Sequence, residues 1–265
     1  MERLAYFLDG MDIQHSSIQT AMRIADHTGS FLDVHHPWAS PKTLAGRPEW
    51  RPVKPENVVD SGRKKARDLF QQACGKRQNA RFLGIDGHLA DAIRCLGVAY
   101  DIIVMDRLQQ ETGRSAYAFN TALFETGAPV LVVPPIVPRQ FGKRVVVIWT
   151  GTCQSGRALR AAVPFLRKAQ EVHVLSNMAN PMANPTTALD YLNLHGVEGE
   201  IGHFDGAGLT ARGRGRAVIR AAHENDADLV IMGAFGYNGI ERLLNLGRTT
   251  RKLVTATPIP LLIQS

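Results

Sequence analysis

The chain has 265 residues, 45% of them apolar and 21% charged, with 24 glycines and 14 prolines, a balance that fits a globular protein and excludes collagen-like and disordered chains. At about 150 residues per domain, the length allows one or two packed units. The formal net charge of +7 is spread as 17 basic against 15 acidic residues over 1–140 and 14 against 9 over 141–265, a modest positive field that suits anionic ligands but forms no basic stripe of the kind a dedicated nucleic-acid reader carries.

Along the chain, short β-branched runs alternate with amphipathic stretches. Strands are predicted near residues 4–8, 30–35, 80–85, 101–105 and 129–133, with helices near 15–28, 56–77, 87–97 and 115–126. Residues 36–55 contain Pro37, Pro41, Pro48, Pro52 and Pro55 with Trp38 and Trp50, which excludes a helix or central strand and leaves either a cover over a neighbouring cleft or a solvent loop with two packed indoles. Past a boundary at Pro138–Lys143, strands are predicted near 144–149, 170–175, 199–204, 228–232 and 260–264. Runs such as Asp101-Ile-Ile-Val-Met105 are apolar almost throughout, as expected of strands buried on both faces in a parallel sheet with helices on either side.

The second series repeats the first. Leu4–Gly10 and Val145–Gly151 are apolar runs that end at a glycine, and the helical stripe Ile18, Ala21, Met22, Ala25 returns as Leu159, Ala162, Val163, Leu166, 141 residues later. Asp101–Met105 is answered by Asp228–Met232, and Pro129–Val133 by Pro260–Gln264. The first copy is 14 residues longer between its strand-1 end and this aspartate, and the excess falls in the proline-rich segment.

In an open α/β sheet the ligand crevice lies beyond the carboxyl ends of the strands, at the point where strand order reverses. Glycines gather there: Gly233, Gly236 and Gly239 follow strand 4 of the second copy, and Gly247-Arg248-Thr249-Thr250 opens its last helix. The first copy has Gly113-Arg114-Ser115 in the equivalent place. Glycine lets backbone approach an anion, and a hydroxyl at a helix start adds a donor to amides that already face outward, so Gly-Arg followed by a hydroxyl residue is the leading site candidate, with helix capping as the plain alternative.

These features resemble the universal stress protein family in its tandem two-domain form. The resemblance rests on Leu8-Asp9-Gly10, the two Asp-to-Met strands, the loop Met232–Gly236 and the Pro-led final strands. It implies two five-stranded, Rossmann-like domains of the adenine nucleotide alpha hydrolase-like type, at 1–138 and 143–265, arranged as an internal pseudo-dimer. ATP-binding members resemble G-x2-G-x9-G-[ST] in the strand-4 loop, with an Asp ending strand 1 near the adenine. Here Leu246 stands at the third glycine, Gly247 comes one residue late, Arg248 precedes the hydroxyl, and Thr150 replaces the second strand-1 Asp. The first copy keeps Asp9 and Gly10 but has Asp106–Glu111 in place of the paired glycines, and carboxylates there repel phosphate.

No P-loop is present, and the Gly-rich turn follows strand 4 rather than strand 1, which also excludes the dinucleotide fingerprint. His35 and His36 are adjacent and fall on opposite faces of a strand, without paired cysteines or HExxH, so no metal site is expected. Cys74, Cys95 and Cys153 form no CxxC and read as small buried hydrophobes of a reducing compartment. Ser155 reads as a helix cap. Arg212-Gly-Arg214-Gly-Arg216 is the densest positive run, either a solvated helix start or a phosphate grip, although cations at the positive end of a helix dipole call for a reason.

The expectation is therefore a cytoplasmic stress-response regulator and not an enzyme, with no obligatory cofactor, no membrane span and no nucleic-acid partner. It would be a monomer with an internal pseudo-dimer, or a homodimer of such chains. Its ligand would be a small anion, ATP or another adenine nucleotide with or without Mg²⁺, bound weakly. The nucleotide-binding set would be Asp9, Gly10, Gly113, Arg114, Ser115, Thr150, Gly151, Gly233, Gly236, Gly247, Arg248, Thr249 and Thr250, with phosphate favouring the second half. The alternative is a scaffold that binds a partner and no nucleotide.

Overall fold

Apolar runs of four or five residues become the central strands, and the computed structural model describes them within residues 3–8, 15–38, 51–52, 61–177, 183–206, 208–234 and 247–265. It divides into two units, Met1–Asp106 with Thr112–Val137, and Pro138–Ser265 with Arg107–Glu111. The first contains β1 (Arg3–Phe7), α1 (His15–Thr28), β2 (Phe31–Trp38), β3 (Arg51–Pro52), α2 (Ser61–Cys74) and β4 (Ala80–Asp86). It continues with α3 (Leu89–Leu96), β5 (Ile102–Asp106), α4 (Arg114–Glu125) and β6 (Val130–Val133). The second contains β7 (Arg144–Trp149), α5 (Cys153–Leu166), β8 (Glu171–Asn177), α6 (Thr186–Leu194) and β9 (Glu200–Phe204). It ends with α7 (Ala211–Glu224), β10 (Leu229–Gly233), α8 (Arg248–Ala256) and β11 (Leu261–Gln264).

The first sheet runs β3-β4-β2-β1-β5-β6, the second β11-β10-β7-β8-β9. All pairs given within each are parallel except β3 with β4. In the first unit α1 packs on α2 and α3 on α4; in the second, α7 packs on α8. Ile102, Ile103 and Val104 of β5 and Leu229, Val230 and Ile231 of β10 are buried, as continuous apolar strands with helices on both faces must be.

The first sheet differs from the expected five parallel strands by the antiparallel edge Arg51–Pro52, paired with Ile85 and Asp86. Proline is tolerated there because an edge strand does not need both sides of its ladder. β2 also runs three residues past the expected end, through Pro37 to Trp38. Its last β1 partner is Phe7, opposite His35, so Pro37 pairs only with β4, and its missing N–H leaves no donor absent from the β1 ladder.

The aspartate that opens each Asp-to-Met run has a structural cause. Asp101 accepts the backbone N–H of Arg3 at 3.0 Å and Asp228 those of Lys143 and Arg144 at 2.9 and 3.2 Å, while the N–H of Asp101 and Asp228 donate back to the carbonyls of Arg3 and Arg144. Each carboxylate thus fastens the start of strand 4 to the start of strand 1.

Behind β1 lies a buried polar chain. The Asp33 carboxylate, fully buried, receives Arg3, Arg81 and the Tyr100 hydroxyl, whose oxygen lies 2.8 Å from His35 Nε2. Tyr100 has one proton and gives it to Asp33, so the Tyr100 oxygen accepts from His35 Nε2–H and the imidazole is the Nε2 tautomer. His35 Nδ1, correspondingly, has no hydrogen-bond partner among the described residues. Burial pushes the His35 pKa down to about 4, despite the nearby Asp33. The Asp33 carboxyl is held below its usual range: burial opposes this, and the hydrogen bonds from Arg81, Arg3 and Tyr100 prevail.

Candidate functional site

In the second unit, β7 ends at Trp149 and the chain turns through Thr150 and Gly151, whose φ of +68° is a left-handed conformation that glycine adopts without strain. Thr152 caps α5: its hydroxyl accepts from Ser155 N, and Ser155 Oγ accepts from Thr152 N at 3.1 Å. Thr152 is thus the cap and Ser155 its reciprocal partner, which corrects the assignment of the capping role to Ser155 alone. Thr150 and Thr152 hydroxyls are 2.9 Å apart.

Beyond these strand ends lies a cavity of about 230 Å³. Thr150, Thr152 and Gln154 form one side, Asn177 and Phe204 come from the ends of β8 and β9, and α7 contributes Arg214 and Val218. Trp149 and Ala234 complete the wall at β7 and β10. The described lining contains no carboxylate, so its polar groups are two hydroxyls, two amides and one guanidinium. Arg214 Nη1 donates to the Leu209 carbonyl at 2.8 Å, and no carboxylate among the described residues pairs with it. Trp149 Nε1 is buried without an acceptor among the described residues.

The structure brings few of the expected residues together. Thr150 lines the cavity and Gly151 makes the turn beside it. Gly233 ends β10, but the space above its Cα is filled: a Cβ there would lie 2.5 Å from Ser155 N and 2.6 Å from the Gln154 carbonyl carbon. The fold itself demands that glycine. Gly247 precedes α8 as its N-cap with no side-chain cap bond, as Gly113 precedes α4. Thr249 and Thr250 are buried, away from the cavity lining. Arg114 and Ser115 begin α4 of the first unit. Asp9, Gly10, Gly236, Gly239, Leu246 and the Arg248 side chain lie outside the described residues.

The first unit departs at the same place. Asp106 ends β5, and Tyr6 donates its hydroxyl to the carboxylate at 2.9 Å. Arg107–Glu111 group with the second unit, where Leu108 N donates to the Val254 carbonyl. His35 stacks on Phe7 and His36 on Phe82, on opposite faces as expected, and no metal-holding cluster occurs among the described residues. Of the cysteines only Cys74 is buried; Cys95 and Cys153 are exposed on α3 and at the first residue of α5, which corrects their reading as core residues. No described helix is long and apolar enough to cross a membrane.

Residues 142–264 match the model of the universal stress protein family. A universal stress protein of Synechocystis sp. is 26% identical over 212 residues, which is 74% of this chain and 68% of that protein. The second unit of the chain thus resembles the universal stress protein family. Among solved structures, that of a universal stress protein from Archaeoglobus fulgidus has a TM-score of 0.70 at 17% identity, over 98% of this chain and 96% of that one. A Pseudomonas aeruginosa protein of unknown function follows the fold over 100% of this chain and 92% of its own, with a TM-score of 0.56 at 14% identity. At these identities the structural likeness concerns the fold alone.

Sequence reasoning missed Asn177, Phe204 and Arg214. The ends of strands 2 and 3 have no motif to mark them, so Asn177 and Phe204 left no signal. Arg214 did leave one, since a run of cations at a helix start needs a reason. Arg214 turns to the cavity, whereas Arg212 and Arg216 are exposed.

Proposed function

We propose that the protein is a regulatory stress-response protein, not a dedicated metabolic enzyme, whose second unit holds a small anionic ligand of the adenine-nucleotide type, ATP or AMP, bound weakly. The observation that carries this reading is the cavity beyond the ends of β7, β8 and β9, with aromatic wall and a guanidinium. The phosphates are assigned to the start of α8, where Gly247 leaves the first-turn amides without a side-chain cap.

The described cavity lining offers no carboxylate to a divalent cation, so Mg²⁺ would be carried by the phosphates and not by the protein. The same lining holds no base to position water, and hydrolysis is expected to be slow or absent. In the first unit Asp106 places a carboxylate at the position of Gly233, and at most one nucleotide per chain is expected. The arginine run is divided between the cavity and solvent, which weakens the nucleic-acid reading.

The test is native mass spectrometry of freshly purified protein, in which a nucleotide released on denaturation is the expected result. Absence of binding to ATP, ADP and AMP at millimolar concentration would turn the reading to a partner-binding scaffold.

A further inference from the structure

We propose that the second cleft recognises its nucleotide by phosphate charge and not by the identity of the purine, and that Arg214 is the residue that reads the charge; this rests on the adenine-nucleotide reading above. The polar groups of the described lining are of two kinds. The hydroxyls of Thr150 and Thr152 and the amides of Gln154 and Asn177 each offer both a donor and an acceptor, so they suit the amino edge of adenine as well as the oxo edge of guanine. Within that lining Arg214 alone has a fixed polarity, with five N–H donors, no acceptor and a permanent positive charge. A group of that kind selects an anion.

The charge has no counter-ion among the described residues. Arg214 Nη1 donates to the Leu209 carbonyl, which is neutral, and the first turn of α7 holds no carboxylate. Arg212 and Arg216, two residues away on either side, add charge of the same sign. A phosphate in the cleft supplies the missing opposite charge. Hydrogen bonds to an ionised group are roughly twice as strong as neutral ones, so the phosphate contact outweighs any single contact that the hydroxyls and amides make to a base.

Helix packing sets Arg214 beside the phosphate position. α7 lies on α8, and a Cβ on Gly215 would stand 3.4 Å from the Thr249 carbonyl oxygen and 3.1 Å from Lys252 Cγ, so the residue next to Arg214 meets the first turn of α8. Arg214 also lines the cavity together with Ala234, where the chain leaves β10 on its way to α8. A nucleotide with its base in the cavity and its phosphates at the start of α8 passes α7 at this arginine.

The experiment is titration calorimetry of the full chain with ATP, GTP and adenosine. ATP and GTP are expected to bind within about fivefold of each other, and adenosine at least about tenfold more weakly than ATP, the low end of the worth of a charged hydrogen bond. Arg214→Gln, which keeps a donor for the Leu209 carbonyl and loses the charge, should weaken ATP by about tenfold and leave adenosine unchanged. Arg214→Lys, which keeps the charge, should hold ATP within about fivefold of the parent, and added salt should narrow the difference between the parent and Arg214→Gln. Circular dichroism would confirm that both variants fold, as expected for a half-buried side chain with a single internal hydrogen bond. A preference above about fivefold for either triphosphate, or equal binding of ATP by the parent and Arg214→Gln, would overturn the proposal while the nucleotide reading stands. An equal loss of ATP and adenosine in Arg214→Gln would also overturn it, by making the arginine part of the wall. If ATP, ADP and AMP all fail to bind, the adenine-nucleotide reading falls first and this one with it.

Discussion

Asp106 and Gly233 occupy the same register position in their two sheets. Asp106 pairs with Val133 and Gly233 with Gln264, at the ends of strands that otherwise match step for step. At Gly233 the first turn of α5 comes close enough that a methyl group would collide with backbone, which cannot yield as a side chain tip does. Gly233→Ala is expected to destabilise the protein by about 1–3 kcal/mol through overpacking, measured by urea denaturation. An unchanged midpoint would show that α5 shifts freely.

Both aspartate fasteners should carry stability. Asp228 receives the N–H groups of Lys143 and Arg144, and Asp101 receives that of Arg3. Asp228→Ala and Asp101→Ala are each expected to cost about 1.5–3 kcal/mol, from the known worth of hydrogen bonds to a charged acceptor. Chemical denaturation of each variant beside the parent checks this, and an unchanged midpoint would remove that aspartate from the joint.

The polar chain of the first unit makes stability depend on pH. Between about pH 6.5 and 4 an unfolded His35 binds a proton and the folded one does not, so stability must fall as pH is lowered through that window. From pH 7 to pH 5 the loss from this residue is about 2 kcal/mol. Asp33, whose folded pKa is depressed, keeps its contribution above the ordinary carboxylate range and loses it only at more acid pH. Urea titrations at pH 7 and pH 5 should show the loss in the parent protein and a much smaller one in His35→Gln; equal losses would remove His35 from the account.

Thr152 stands at both a cap and the cleft wall. Thr152→Ala removes the acceptor for Ser155 N and is expected to cost about 1 kcal/mol. Thr152→Ser keeps the cap and should keep the stability in a thermal melt.

Much of this fold was legible because period and burial coincide. Residues 15–28 form the helix that their stripe predicts, and the strands fall within three residues of their expected limits, since continuous apolar runs have few other uses. Pro37 hid the end of β2, because a proline argues against a central strand until it is known which neighbour has already stopped. The cavity was less legible. Thr150 could be placed by its position at the end of strand 1, but which residues of β8, β9 and α7 meet it depends on register and helix phase that a one-residue error reverses. Asp33 and His173 show how far two copies diverge at one register position. Asp33 lies opposite Ala5 and is flanked by Arg3 and Arg81; His173 lies opposite Val146, within 4 Å of Glu171 and Glu200. The backbone pattern is kept while a carboxylate beside two guanidiniums gives way to an imidazole beside two carboxylates, which no reading of apolar periodicity can foresee.

The aspartates at the foot of strand 4 divide each sheet into an end that the two copies share and an end where they differ. Arg3 with Asp101 and Arg144 with Asp228 repeat the same joint at the amino ends, while at the carboxyl ends Asp106 stands where the other sheet has Gly233. A repeated sheet built this way can trade parts at one end of its strands and not at the other. Exchanging Ile102–Met105 for Leu229–Met232 moves interchangeable material between equivalent joints, whereas extending the graft by one residue carries a carboxylate into the first turn of a helix that has no room for a methyl group. Ligand specificity is then free to drift in one half without loosening the footing of either.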